Sequence, residues 1–341
     1  MNIKRVFHPE QVMGTRGDPV MCDMYKKLLG QTKRCPEDDE EIAPGKIAYG
    51  WSFPGVLEPL LKDQHGKEFH LIMKLYREQT RKIYYIGDDF TRALGSVDRN
   101  IPLDLLPSRF FAYVAFADEV IRDEADWIEG AYVYIGPPYA VGISINGVSP
   151  DKRFVWIGYQ CKNGQIGALS FDPTGEKVMD TLRRLHHERP TVDYDVRSDG
   201  TYTATETSLD TVEKREHVYR TIINAVLYIH SQDPDLTHLK PEQQLSLSQR
   251  KKHKESITNC TVPLTLVSWN YKKKPSYNVD STWIDTFLRI QRCGPGLTQC
   301  KFVWVKEHER HYNKGENDHG KNSNVLTAGA ADSDSEHHAV P

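Results

Sequence analysis

Apolar positions along the chain follow two rhythms, one of three to four residues and one of two. Between Val56 and Tyr76, Leu57, Leu60 and Leu61, then Phe69, Ile72, Met73 and Tyr76, recur at helical spacing; Pro59 and Gly66 predict two short helices here. Ile83 to Ile86 is a β-branched and aromatic run, and Asp88 to Leu94 predicts a helical turn or two. Phe110 to Phe116, Ala131 to Ile135, Val141 to Ile145, Phe154 to Tyr159 and Gln165 to Phe171 read as short strands. Asn146-Gly147 is a hairpin signal, because type I′ turns need positive φ at both central positions. Glu176 to His187 and Leu209 to His230 are the next helices. The second carries a wide apolar stripe through Val212, Tyr219, Ile222, Ile223, Val226 and Leu227. It must stop before Asp233-Pro234, since proline disfavours helical dihedrals at the preceding residue. Val262 to Trp269, Trp283 to Arg292 and Lys301 to Lys306 predict further strands, the last two joined through Gly294-Pro295-Gly296.

These elements predict an α+β fold, an antiparallel meander of about five strands with packed helices and a C-terminal strand pair. The expected organisation has a polar N-terminal segment (1–46), an α+β core (47–239), a basic linker (240–256) and C-terminal strands packing on the core (257–311). The acidic run Glu37 to Glu41 reads as a solvated loop. Residues 312–341 hold mostly small and polar side chains, which cannot build a core, so a disordered tail is expected.

With 341 residues the chain can bury a sizeable core without disulfides or metals. Its 44 Lys+Arg against 47 Asp+Glu exclude a global electrostatic attraction to nucleic acid, so any such contact needs a local patch. The six cysteines form no C-x-x-C pair and no secretory signal is visible, which predicts free thiols and a cytoplasmic location. The apolar runs are too short to span a bilayer, and no membrane contact is expected.

Candidate chemistry is sparse. There is no G-x-S-x-G elbow, no P-loop and no G-x-G-x-x-G after a strand. Glu307, His308, Glu309 and His311 miss the H-E-x-x-H spacing, so no metal site, cofactor or catalytic residue is assigned, and binding is favoured over enzymatic activity. Cys293 beside its turn reads as a packing thiol, and Asp233-Pro234-Asp235 as a turn. Phe154-Val155-Trp156-Ile157-Gly158-Tyr159 and Phe302-Val303-Trp304-Val305 place bulky rings on alternating faces. One face would be core; the other could bind a partner, although cover by the long helix also explains it. Arg250, Lys251, Lys252 and Lys254 form the strongest phosphate-binding candidate, with a solvated linker the more common reading of such a run.

Several stretches together resemble a known family. They are Lys74-Leu75-Tyr76 with Lys82 to Ile86, and Ile101 to Pro107 leading into Phe111-Ala112-Tyr113-Val114. Further on come Asn224 to Leu236, then Trp283, Arg289 to Gly296 and Lys301 to Val305. Their order over about residues 54–306 is similar to the phage- and plasmid-encoded anti-CRISPR family whose founding type V-A member blocks production of the CRISPR effector nuclease. Ser281-Thr282-Trp283 stands where relatives carry Gly-His-Trp. The resemblance implies a protein that recognises a host protein or nascent polypeptide, on or near the ribosome, and brings about loss of its message. The decay chemistry would then be recruited.

The sequence therefore predicts partner contacts at Trp156, Tyr159, Trp283, Arg289, Arg292 and Trp304, in a groove that takes an extended segment by backbone pairing at a sheet edge. Direct RNA binding through Arg250 to Lys254 is the alternative, and a hydrolase around Glu307, His308 and His311 a second one.

Overall fold

The computed structural model describes residues 30–52, 64–79, 82–97, 103–117, 119–123, 126–141, 151–161, 166–173, 177–184 (apart from 179 and 182), 192–196, 202–206, 215–239, 264–271, 283–284, 287–305 and 308–309. In chain order the strands are β1 (Lys33–Arg34), β2 (Glu40–Ala43), β3 (Lys46–Ala48), β4 (Trp51–Ser52), β5 (Ile83–Ile86), β6 (Phe110–Phe116), β7 (Ile128–Gly136), β8 (Phe154–Cys161) and β9 (Ile166–Phe171). They continue as β10 (Val192–Val196), β11 (Tyr202–Glu206), β12 (Leu236–Leu239), β13 (Leu264–Val267), β14 (Trp283–Ile284), β15 (Phe287–Cys293), β16 (Gln299–Val305) and β17 (His308–Glu309). Among the described residues, α-helices with defined bounds are α1 (Gln64–Gln79), α2 (Asp88–Gly95) and α3 (Glu216–Ile229), and the described positions within 178–184 are also helical.

The α+β expectation holds, around a seven-stranded mixed sheet in the order β12-β13-β5-β6-β7-β8-β9. Four of the five predicted meander strands are β6 to β9, and the fifth, Val141 to Ile145, lies outside the described residues apart from Val141. Beyond it β5 runs parallel to β6, β13 runs parallel to β5, and β12 closes that side antiparallel to β13. Leu264–Val267 thus lies inside the main sheet, where the sequence suggested a strand packed onto it.

Period-2 alternation sends neighbouring side chains of the sheet into two different cores. Val155, Ile157 and Tyr159 join Val114 and Phe116 on the face covered by α2, α3 and the β15–β16 pair. Phe154 and Trp156 join Tyr113 and Tyr132 on the face covered by α1. Gly158 is required there, because a Cβ at that position would lie 2.2 Å from the Trp156 ring and 2.7 Å from Phe69. Both faces being covered, β7 is buried at every position.

α1 runs unbroken through Gly66 where a break was predicted, and the predicted helix before it, like Val56, lies outside the described residues. The acidic N-terminal stretch is also more ordered than expected. β2 and β3 form a hairpin, β1 pairs with β4, and buried Thr32 meets His70 of α1 at 2.6 Å. β10 and β11 form a further antiparallel pair that the polar sequence did not suggest. The Asn146-Gly147 turn, the basic run 250–254 and the tail from 312 lie outside the described residues.

Candidate partner-binding surface

β15 and β16 form a two-stranded ribbon, paired from Phe287↔Val305 to Cys293↔Gln299, that lies across α2 and α3. The register separates its faces. Leu288 opposite Trp304 and Ile290 opposite Phe302 point at the helices. Arg289 opposite Val303 and Gln291 opposite Lys301 point away, with Arg289, Gln291 and Lys301 exposed.

Aromatic packing fixes the ribbon on the helices. Phe302 meets Tyr228 of α3 with ring centroids 5.2 Å apart, and Phe90 of α2 meets Tyr228 at 4.6 Å. Trp304 stacks on Tyr271 at 4.4 Å with planes 10° apart. The Tyr228 hydroxyl lies 2.6 Å from Ser268 Oγ and accepts the Asp235 amide at 3.1 Å, which makes the Asp-Pro-Asp segment a structural turn. The Gln232 amide donates to the Cys300 carbonyl on the outer side of β16. Burial pushes the Cys300 thiol up to about 11, out of the range of a reactive cysteine.

At the far end, Arg292 reaches both carboxylate oxygens of Asp104, at 2.9 and 3.2 Å, and the Leu297 carbonyl at 3.4 Å. Among the described residues β15 has no second strand neighbour, and no backbone group bonds to its outer edge. No ion pair is formed by Arg289 or Lys301 among the described residues.

The predicted contact residues separate. Arg289, Arg292 and Trp304 come together on the ribbon; Arg289 is exposed, Arg292 is engaged with Asp104, and Trp304 is half-buried under its stack. Trp156 and Tyr159 do not line a groove. Both are fully buried, on opposite faces of the sheet, because helices cover both faces. Tyr159 instead donates to Asp123 at 2.7 Å, and Asp123 also takes Arg215, an internal brace between β8 and the start of α3. Trp283 is in β14, paired with Glu309 of β17; His308 pairs with Ile284. Arg250, Lys251, Lys252 and Lys254 lie outside the described residues, as do Glu307 and His311. Among the described residues no three His, Cys, Asp or Glu side chains are placed to hold a metal, and no helix is long and apolar enough to cross a membrane.

Sequence reasoning missed Asp104, Tyr271 and Leu297. Only Leu297 leaves a local signal, a large apolar residue directly after Gly-Pro-Gly where a turn calls for polar ones.

No protein-family model matches this chain, and no curated protein does. A search of solved structures finds the crystal structure of AcrVA2, an anti-CRISPR protein, at 13% identity over 75% of this chain and 83% of that one, with a TM-score of 0.35. The likeness is distant. An overlap this loose carries no conclusion about a shared activity.

Proposed function

We propose that this protein is a binding module of a phage or plasmid that engages a host protein or nascent polypeptide to counter CRISPR-type defence, with loss of the target's message as the consequence. The observation that carries the binding reading is the outer edge of β15, unpaired among the described residues, with Arg289 exposed on that strand and Lys301 exposed on the same face of its neighbour β16. An extended segment can add to such an edge through main-chain hydrogen bonds, with side-chain contacts supplying selectivity. A cation on an edge strand, here Arg289, also deters pairing with the wrong strand, so the segment that docks has to satisfy it. The defence setting rests on the sequence resemblance over about residues 54–306.

The test is an affinity pulldown from translating host cells, with and without nuclease, comparing wild type with an Arg289→Glu, Lys301→Glu double variant. Nuclease-resistant recovery of one protein or nascent chain, lost in the double variant, supports the reading. Recovery that needs RNA moves the function to RNA binding, and equal recovery by both chains rules out the ribbon.

A further inference from the structure

Leu297 stands at the tip of the ribbon with 55% of its surface exposed, more than any other large apolar side chain described. Its φ is +56°, in the left-handed region that a branched L residue rarely occupies. Gly294 and Gly296 also take positive φ, at +75° and +64°, where a missing Cβ makes it easy. A third glycine would suit position 297 by conformation. Leucine is held there instead, and the fold gives its side chain little to pack against. Strain of this kind in a surface turn points to a side chain that works outside its own chain.

The turn is rigid. The Leu297 amide donates to the Gly294 carbonyl at 3.1 Å, and Thr298 Oγ1 donates to the Pro295 carbonyl at 3.1 Å. Arg292 binds the Leu297 carbonyl while clamped to Asp104. An apolar knob already fixed in place loses little conformational entropy on docking. The ribbon's own charge is one-sided, and of its cations only Arg292 is paired with a carboxylate, Asp104, among the described residues. From Phe287 to Val305 the chain holds three cations, Arg289, Arg292 and Lys301, and no carboxylate.

We propose that Leu297 is the apolar anchor of the interface, inserting into an apolar pocket of a protein partner whose rim carries Asp and Glu side chains that meet Arg289 and Lys301. The proposal rests on the ribbon being a protein-binding surface. It adds that the tip, and not the β15 edge alone, carries affinity, as buried central anchors do in other interfaces.

Photo-crosslinking in the full chain tests it, with p-benzoylphenylalanine placed at Leu297 and, in a control, at Ile47 of the β2–β3 hairpin, itself 42% exposed. In translating host cells the 297 probe is expected to give one protein adduct that the 47 probe does not. The adduct should map to an apolar residue bordered by acidic ones. Leu297→Gly supplies the second readout. It relieves the positive φ and removes little burial, so its melting temperature should stay at or above wild type. As competitor for adduct formation, it should be weaker by about tenfold or more. Equal adducts from both positions, an RNA adduct, or full competition by Leu297→Gly overturns the anchor. If wild type captures a partner in a way that needs Arg289 and Lys301 but position 297 gives no adduct, the anchor falls and the ribbon stands. If no protein is captured at all, both fall.

Discussion

His70 is a histidine placed where it must stay neutral. It is 4% exposed on α1, and burial, with the Lys74 charge adding to it, lowers its pKa from 6.5 to about 4. The folded state therefore binds its proton less readily than the unfolded chain, so this contribution to stability is present above pH 6.5 and is lost as pH falls towards 4. Between pH 7.5 and pH 5 the loss should be about 2 kcal/mol, read by urea unfolding at the two pH values. His70→Gln should show a shallower dependence; an identical slope in both chains would assign the effect elsewhere. The sequence showed the apolar stripe of α1 but not this histidine's burial, because its cover includes Thr32, 38 positions away. Trp156 and Tyr159 were misread for a related reason. Alternation says that neighbours in a strand face opposite ways, yet it is silent on whether one of those ways is solvent.

Among the elements, the long helix α3 was legible because its stripe is wide, and the structure buries nearly all of its positions. The ribbon was legible as two strands and a Gly-Pro-Gly turn, but its attachment was not. Asp104 and Arg292 are 188 positions apart, and no local pattern links them. That ion pair is exposed, so Arg292→Ala should reduce global stability by less than about 1 kcal/mol. Its effect should be local. Amide hydrogen exchange in β15 and β16 is expected to quicken by about two- to fivefold, with α1 and β7 unchanged. Unchanged exchange in the ribbon would mean that the aromatic contacts of Phe302 and Trp304 hold it alone. Strand β12 escaped the sequence reading because Leu-Thr-His-Leu follows Asp-Pro-Asp, so the turn signal masked a four-residue edge strand.

For the whole molecule, the α+β class and the order of elements were within reach of the sequence, while the neighbours within the sheet were not. Parallel pairing of Leu264–Val267 with Ile83–Ile86 joins segments that no hairpin turn connects. This makes the sheet depend on residues late in the chain. A fragment ending at residue 239 lacks β13, which sits between β12 and β5, and so leaves a gap inside the core rather than a trimmed edge. Such a fragment should show no cooperative thermal transition by circular dichroism, whereas a sharp melt would mean that β12 can pair with β5 directly.

The same placement sets a clock on synthesis. From Ile86 to Leu264 the chain grows by 264 − 86 = 178 residues, which at about 5–20 residues per second leaves β5 without its outer neighbour for roughly ten to thirty-five seconds. Through most of that interval Ile83–Ile86, a four-residue run of isoleucine and tyrosine with only β6 beside it, is an open edge of the growing sheet. Yield in the cell should then depend on what shelters this strand until its partner is made, more than on the stability of the finished fold.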